Sequence, residues 1–194
     1  MISGVSYGVI ETRGVFKAEN ERYYEIAERK GKKYFIKNWT KDHFIRGILE
    51  YKNTVQLDHA CIIKPVNFGI NQERTEASIV FPYLEGHNLI TVESLTAAEG
   101  ALIMQQINDV VFYLSSRGYV DDKFTETDQY YRDNMHNVMD AGDLRIRYDL
   151  SAPNIIWKPW RPGIILVDFE RHDVPLMDAI HQIKDHIDSI TKQE

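Results

Sequence analysis

Three polar residues in the C-terminal part of the chain could bind a metal ion and activate a hydroxyl group. Asp149 and Asn154 lie five positions apart, and Asp168 directly follows the apolar run 164–167. Carboxylate and amide oxygens are hard ligands that suit Mg²⁺, and a further carboxylate can orient an attacking hydroxyl and accept its proton. These are the needs of γ-phosphoryl transfer from a nucleotide, with Asp149 acting on the hydroxyl and Asn154 and Asp168 on the metal.

A β-hairpin is predicted to bring Asn154 and Asp168 together. Residues 155–157 and 164–167 have the apolar, β-branched character of its two strands, and 159–163 carry the Pro and Gly of its turn. The second strand then returns Asp168 beside Asn154. The simpler alternative is a hairpin whose flanking Asp and Asn residues only serve turns, which is their commonest use.

Strand signals dominate the first part of the chain. Residues 2–10, 23–28 and 33–39 are rich in aromatic and β-branched residues, with Gly31-Lys32 as the turn between the last two. Gly14 is expected in the connection between the first two strands. Two further strands are predicted from Ile62-Ile63 with Val66 and from 77–83.

Helical spacing appears at three places. A helix over 41–57 is predicted to pack on the sheet through Phe44, Ile48, Tyr51 and Val55. Thr96 and Glu99 form a capping box that opens a second helix, which runs to Gly118. A last amphipathic helix follows Pro175, with apolar residues Leu176, Ile180, Ile183, Ile187 and Ile190. The predicted fold class is therefore α+β.

The motif around the three polar residues resembles that of the protein kinase superfamily. Arg147-Tyr148-Asp149-Leu150-Ser151-Ala152-Pro153-Asn154 is similar to the catalytic loop H-R-D-L-x-x-x-N, and Asp168-Phe169-Glu170 is similar to D-F-G. Tyr34-Phe35-Ile36-Lys37 is similar to V-A-I-K, on the third predicted strand. The resemblance implies ATP and Mg²⁺ as cofactors, Lys37 on the α- and β-phosphates, and Glu50 as its ion-pair partner.

The same resemblance assigns an adenine site to Ile79-Val80-Phe81-Pro82-Tyr83-Leu84-Glu85-Gly86. Phe81 would guard the pocket, and Pro82, Tyr83 and Leu84 would offer backbone groups to the base. Ile156 is expected at the nucleotide as well. Gly14 is the one glycine able to approach the phosphates, so the family's glycine-rich loop is nearly absent.

The implied organisation is a single, minimal kinase-like domain over 1–194. Residues 1–84 would form an N-lobe with a five-stranded antiparallel sheet and one helix, and 85–194 a reduced helical C-lobe with an insertion at about 121–147. Tyr148 stands where the family usually has the Arg that receives an activation-loop phosphate, and Ser151 where many Ser/Thr kinases have Lys. Too few residues follow Glu170 for the usual substrate platform, so substrate recognition is expected to differ.

Composition excludes several other classes. The net charge of -6 argues against a nucleic-acid partner, which would need surplus Lys and Arg. No run approaches the ~20 apolar residues of a membrane span, and no secretory signal begins the chain, so a soluble, cytoplasmic protein is expected. Cys61 lies among apolar neighbours and is expected to be buried. His172, His181 and His186 lack the spacing of a zinc site.

The small size and the Tyr-Asp-Leu sequence are similar to the minimal kinases that pathogenic bacteria inject into host cells, the OspG and NleH group and the Hop-type effector kinases. This likeness implies a Ser/Thr kinase acting on a protein, such as a host signalling protein or chaperone, an activator that bears ubiquitin, and delivery by a specialised secretion system. The alternatives left open are a small-molecule or lipopolysaccharide kinase, an AMP transferase and a pseudokinase that acts as a binding module.

Overall fold

The structure is a computed structural model that describes residues 11–18, 22–40, 44–116, 150–161, 163–169 and 176–192. Within it the chain divides into two compact units. The first comprises Met1–Leu57 and Lys64–Leu84, and the second comprises Asp58–Ile63 and Glu85–Glu194. Among the described residues, no helix is long and apolar enough to span a membrane.

The first unit contains a five-stranded antiparallel sheet in the order β1-β2-β3-β5-β4. Its elements, in chain order, are β1 Glu11–Ala18, β2 Arg22–Arg29, β3 Lys32–Thr40, helix α1 Phe44–Val55, β4 Asn67–Ile70 and β5 Glu76–Pro82. Helix α1 packs against β3 and β5.

Three predictions for this sheet were wrong in detail. Gly14 lies within β1 and not in a connection, because the pairing of β1 with β2 shifts register between Thr12 and Gly14 and a β-bulge there accommodates a glycine inside a strand. The predicted strand 2–10 lies outside the described residues. The turn between β2 and β3 is Lys30-Gly31, since both residues have positive φ, of 51° and 73°, as a two-residue hairpin turn of type I′ requires.

The third wrong detail concerns the chain after α1. Ile62 was predicted to be in a strand with Ile63 and Val66. It belongs instead to the second unit, where it makes an isolated bridge to Leu166, and the strand of the first unit begins only at Asn67.

The Asn71 side chain closes the turn between β4 and β5. It accepts hydrogen bonds from the backbone N–H groups of Thr75 and Glu76, at 2.8 and 3.0 Å. This turn fixes where β4 and β5 pair.

Helix α1 meets the sheet through a slightly rotated face. Phe44 and Ile48 are buried as predicted, whereas Val55 is 40% exposed and Glu50 and Thr54 are buried instead. The reason is Gly47, at which an added Cβ would lie 2.7 Å from the Trp39 ring, so the helix backbone rests directly on β3 there. Phe44 and Glu50, three residues before and after Gly47, therefore face the sheet.

The second unit contains helices α2, Ala97–Ser116, and α3, Leu176–Ile190, which are in contact with each other. Its small sheet has the order β6-β7-β8, formed by His87–Asn88, Ile155–Trp157 and Ile164–Leu166. Short 3₁₀ helices cover Leu89–Thr91 and Ala152–Asn154. The buried residues of the two helices are Gly100, Ile103, Ile107, Val110 and Leu114 on α2 and Ala179, Ile183 and Ile187 on α3.

The predicted capping box is present at the start of α2. The Glu99 carboxylate accepts hydrogen bonds from the backbone N–H and the hydroxyl of Thr96, both at 2.8 Å, and the Thr96 hydroxyl accepts from the Glu99 N–H at 3.2 Å. The Thr96 donors lower the pKa of Glu99 below its ordinary value. Gly118, the predicted end of this helix, and the insertion 121–147 lie outside the described residues.

Candidate active site

A buried ion pair forms inside the first unit. Lys37 lies in the middle of β3, and its Nζ donates a hydrogen bond of 2.9 Å to Glu50 Oε1 on α1. The side chains are only 9% and 0% exposed. The two residues that the sequence assigned to each other, thirteen positions apart, are thus brought together by the packing of α1 on the sheet.

Alternation along β3 determines what surrounds this lysine. Trp39, two residues later, points to the same face of the strand, and Lys37 Nζ lies 5.7 Å from the centroid of its ring. Phe81 on β5 is opposite Phe35 in the ladder, on the same face as Lys37, and is 2% exposed. The role of Phe81 as the residue that guards an adenine pocket stays a prediction.

At the end of β5, which was predicted to bind adenine, some backbone groups are bonded to β3 and others are not. The Tyr83 N–H donates to the Lys33 carbonyl at 3.1 Å, so the sheet already uses this donor. Tyr34 and Pro82 form the next pair. Because hydrogen-bonded and non-bonded pairs alternate in an antiparallel ladder, the Pro82 carbonyl points away from β3, and its missing N–H costs no bond with that strand. Tyr83 itself is 37% exposed, with the Lys33 ammonium 5.7 Å from its ring centroid.

The residues assigned to the metal lie side by side in the second unit. Strand β7 pairs with β8 so that Ile155 is opposite Leu166, and the ladder is extended by a hydrogen bond of 2.8 Å from the Val167 N–H to the Asn154 carbonyl. Asp168 follows directly. The predicted hairpin is present, and it places Asn154 and Asp168 at the same end of the same two strands.

Asp168 has an unusual backbone conformation. Its φ is 70°, in the left-handed region that non-glycine residues rarely adopt, and such residues concentrate at functional sites. The next residue, Phe169, is fully buried. The strained backbone of Asp168 thus lies directly before a fully buried ring.

Asn88 supports the metal-assigned loop, and the sequence did not single it out. Its side-chain amide donates a hydrogen bond to the Pro153 carbonyl, one residue before Asn154. Its side-chain oxygen accepts from the Ile90 N–H at 3.2 Å. Asn immediately before Leu89-Ile90 was the available signal, because Asn caps short helices.

Gly86 is required by the same part of the second unit. An added Cβ would lie 2.5 Å from Ile156 Cγ2 and 2.8 Å from the Trp157 carbonyl oxygen. Ile156, which the sequence placed at the nucleotide, lies on β7 opposite Asn88 and is half-buried. Asp149, the predicted catalytic carboxylate, lies outside the described residues, while Leu150 beside it is 2% exposed.

Cys61 and the histidines of α3, which could also do chemistry, have local contacts or exposure typical of structural residues. Cys61 is buried, as predicted, and burial raises the pKa of its thiol, which makes it a poor nucleophile. His186 contacts the Leu89 carbonyl, with Nε2 at 3.0 Å, and His181 is exposed. Within the described ranges, no group of three or more His, Cys, Asp or Glu side chains could hold a metal ion.

Comparison with known proteins gives a structural match and no sequence match. No protein-family model matches the chain, and neither does any curated protein sequence. Among solved structures, the protein kinase Rad53, residues 1–466 in complex with AMP-PNP, superposes with a TM-score of 0.58 at 17% sequence identity. The match covers 82% of this chain and 38% of the Rad53 chain, so this chain spans well under half of that protein. At this identity the likeness concerns the fold alone, and it shows that this chain has a kinase-like fold.

Proposed function

We propose that this protein is an ATP- and Mg²⁺-dependent phosphotransferase, and specifically a Ser/Thr protein kinase of minimal type. The observation that carries the proposal is the buried Lys37–Glu50 pair. Burying two charges is costly, and apolar residues of similar volume often stabilise a fold as well or better. A lysine held rigidly by a carboxylate inside a kinase-like fold is therefore better explained by phosphate binding than by stability.

The described residues divide the chemistry between them. Lys37 supplies a fixed positive charge for the nucleotide phosphates, and Glu50 holds that charge in place. Asn154 and Asp168 supply one amide oxygen and one carboxylate, which are hard ligands suited to Mg²⁺. When bound, Mg²⁺-ATP provides the transferable phosphoryl group with its charge partly neutralised. Asp149 would orient the acceptor hydroxyl and take its proton.

The backbone at the end of β5 supports an adenine site. The Pro82 carbonyl points away from β3, and Leu84 lies beyond the residue whose N–H is already bonded to β3. We therefore assign the acceptor to Pro82 and the donor to Leu84, with Phe81 behind them and Ile156 against the base. Tyr83 contributes its ring and no backbone donor. For Gly14, which lies within β1, a role at the phosphates stays a proposal.

The acceptor is proposed to be a protein. The likeness to the minimal effector kinases motivates a host signalling protein or chaperone as substrate, a ubiquitin-bearing activator, and delivery through a specialised secretion system. Screening host lysate with labelled ATP, with and without an added ubiquitin-bearing protein, tests these partners directly. Label in no protein under either condition would favour a small-molecule acceptor.

Nucleotide binding provides the test of the site assignment. We expect a fluorescent ATP analogue to bind the wild-type protein only with Mg²⁺, and binding to be lost in Lys37→Met and strongly weakened in Asp168→Asn. Lys184→Met and Asp188→Asn are matched controls, because that Lys–Asp pair lies on the exposed face of α3 with side chains 54% and 59% exposed. If the site variants and the controls bound the ATP analogue equally, the site assignment would be wrong. That result would favour a binding module that transfers no phosphate.

A further inference from the structure

The Trp39 ring lies between the two elements that form the ion pair. It is the largest fully buried side chain of the first unit, with no exposed surface, and its ring faces Lys37 Nζ at 5.7 Å from the centroid. An ammonium group within ~6 Å of an indole ring is attracted by the negative charge of the aromatic face, most strongly when the pair is shielded from water. The ring therefore acts on Lys37 from a second side, in addition to Glu50.

The same ring supports the helix that carries Glu50. At Gly47 an added Cβ would lie 2.7 Å from Trp39 Cε3 and 2.9 Å from Trp39 Cδ2, so the backbone of α1 rests on the indole. Gly47 is three residues before Glu50, which places both on the same face of the helix. One ring therefore contacts both the lysine and the helix backbone beneath its partner.

Tryptophan is energetically unfavourable at this position because of its indole N–H. Its Nε1–H is buried and finds no hydrogen-bond partner in the part of the chain that the structure describes. A buried donor without a partner is unfavourable, and leucine or methionine would fill an apolar site without that donor. The requirement that explains an aromatic ring here is a flat, electron-rich face beside Lys37.

We propose that Trp39 is a positioning residue for phosphoryl transfer, which holds the Lys37 ammonium in place through its aromatic face and sets the position of α1. This inference rests on the proposed function for its catalytic consequence. The contact itself can be measured without nucleotide.

The first experiment compares Trp39→Phe, which keeps an aromatic face and removes the indole N–H, with Trp39→Met, which fills irregular space without such a face. Each protein is treated with an amine-reactive reagent in the absence of nucleotide, and modification of Lys37 is followed by peptide mass spectrometry. Lys184, whose side chain is 54% exposed, is the internal reference for reagent activity. We expect Lys37 to react several-fold faster in Trp39→Met and at nearly the wild-type rate in Trp39→Phe.

The second experiment measures steady-state phosphotransfer by the same three proteins, well below their melting temperatures. A partly unfolded preparation would lower kcat and leave the KM for ATP unchanged, since the folded fraction binds normally. A displaced Lys37 instead raises the KM for ATP, by about 5- to 30-fold for the loss of a shielded cation–π contact. We expect this rise in Trp39→Met, substantial rescue in Trp39→Phe, and an unchanged KM for the acceptor.

The outcomes separate the two proposals. Equal Lys37 reactivity in all three proteins, or Trp39→Phe as impaired as Trp39→Met, would overturn the positioning role and leave Trp39 as packing. A wild-type protein that transfers no phosphate would overturn the proposed function, while a difference in Lys37 reactivity between the two variants would still support the contact.

Discussion

Replacing Glu50 with glutamine should destabilise the protein far more than its small change in shape suggests. The substitution leaves the Lys37 ammonium in a site where the two side chains are only 9% and 0% exposed. Removing one partner of a buried ion pair costs ~3–5 kcal/mol, and the amide oxygen can still accept a hydrogen bond, so we expect a loss near the lower end of that range. For a chain of this size, this corresponds to a melting temperature lower by roughly 6–12 °C.

The exposed Lys184–Asp188 pair on α3 provides the matched control. It spans one helical turn, and its side chains are 54% and 59% exposed. Asp188→Asn should cost far less than Glu50→Gln, because exposed ion pairs of this spacing contribute little to stability. Urea unfolding at ~25 °C, compared for both variants and the wild type, measures the difference. If Glu50→Gln lost no more stability than Asp188→Asn, Lys37 and Glu50 would not form a buried pair, and the site geometry would be wrong.

Three further changes test other parts of the structure. Gly47→Ala should lower stability by about 1–3 kcal/mol despite alanine's better helix propensity, because its Cβ would lie 2.7 Å from Trp39. Gly163→Ala is the control, because the nearest atom to a Cβ added there lies 3.5 Å away. Equal melting temperatures of the two variants would contradict the close approach of Gly47 to Trp39. Asn88→Ala removes a hydrogen bond to the Pro153 carbonyl. The loss of ~1 kcal/mol of hydrogen-bond energy should raise the Mg²⁺ concentration for half-maximal phosphotransfer about fivefold. An unchanged Mg²⁺ titration would show that Asn88 does not support Asn154. Because the Thr96 donors lower the pKa of Glu99 in the folded state, the stability that this carboxylate contributes is present above its ordinary pKa of 4.5 and is lost as the pH falls below it. The difference in unfolding free energy between wild type and Glu99→Gln should therefore be largest near pH ~7 and shrink in acid, and a difference independent of pH would contradict the capping box.

Much of the candidate site could be predicted because its residues follow one another in short, regular patterns. The spacing of Asn154 and Asp168 around two apolar strands predicted the hairpin that places them together. Lys37 on a strand and Glu50 on the following helix were assigned to each other through the resemblance, and the structure brings them to 2.9 Å. Hairpins can be predicted from local periodicity, and partners such as Lys37 and Glu50 from the order of motifs along the chain.

The parts that were missed depend on contacts between distant side chains. Nothing in the local pattern shows that Gly47 must approach Trp39, or that Val55 is rotated out of the buried face as a result. Gly14 was placed in a loop because glycine commonly marks turns, whereas a bulge in β1 accommodates it. Asn88 reaches a carbonyl 65 residues later in the chain, a contact that only the paired strands β6 and β7 bring about.

The most direct test of the central claim is the fate of the two labels of ATP. Wild-type protein, Asp168→Asn and Asp188→Asn are incubated with Mg²⁺ and either γ- or α-labelled ATP, together with host lysate as the source of acceptor. We expect γ-label in protein above the level of lysate alone with the wild type and with Asp188→Asn, none above that level with Asp168→Asn, and no added α-label in any sample. Transfer of α-label would identify an AMP transferase, and γ-transfer that persists in Asp168→Asn would contradict the proposed active site.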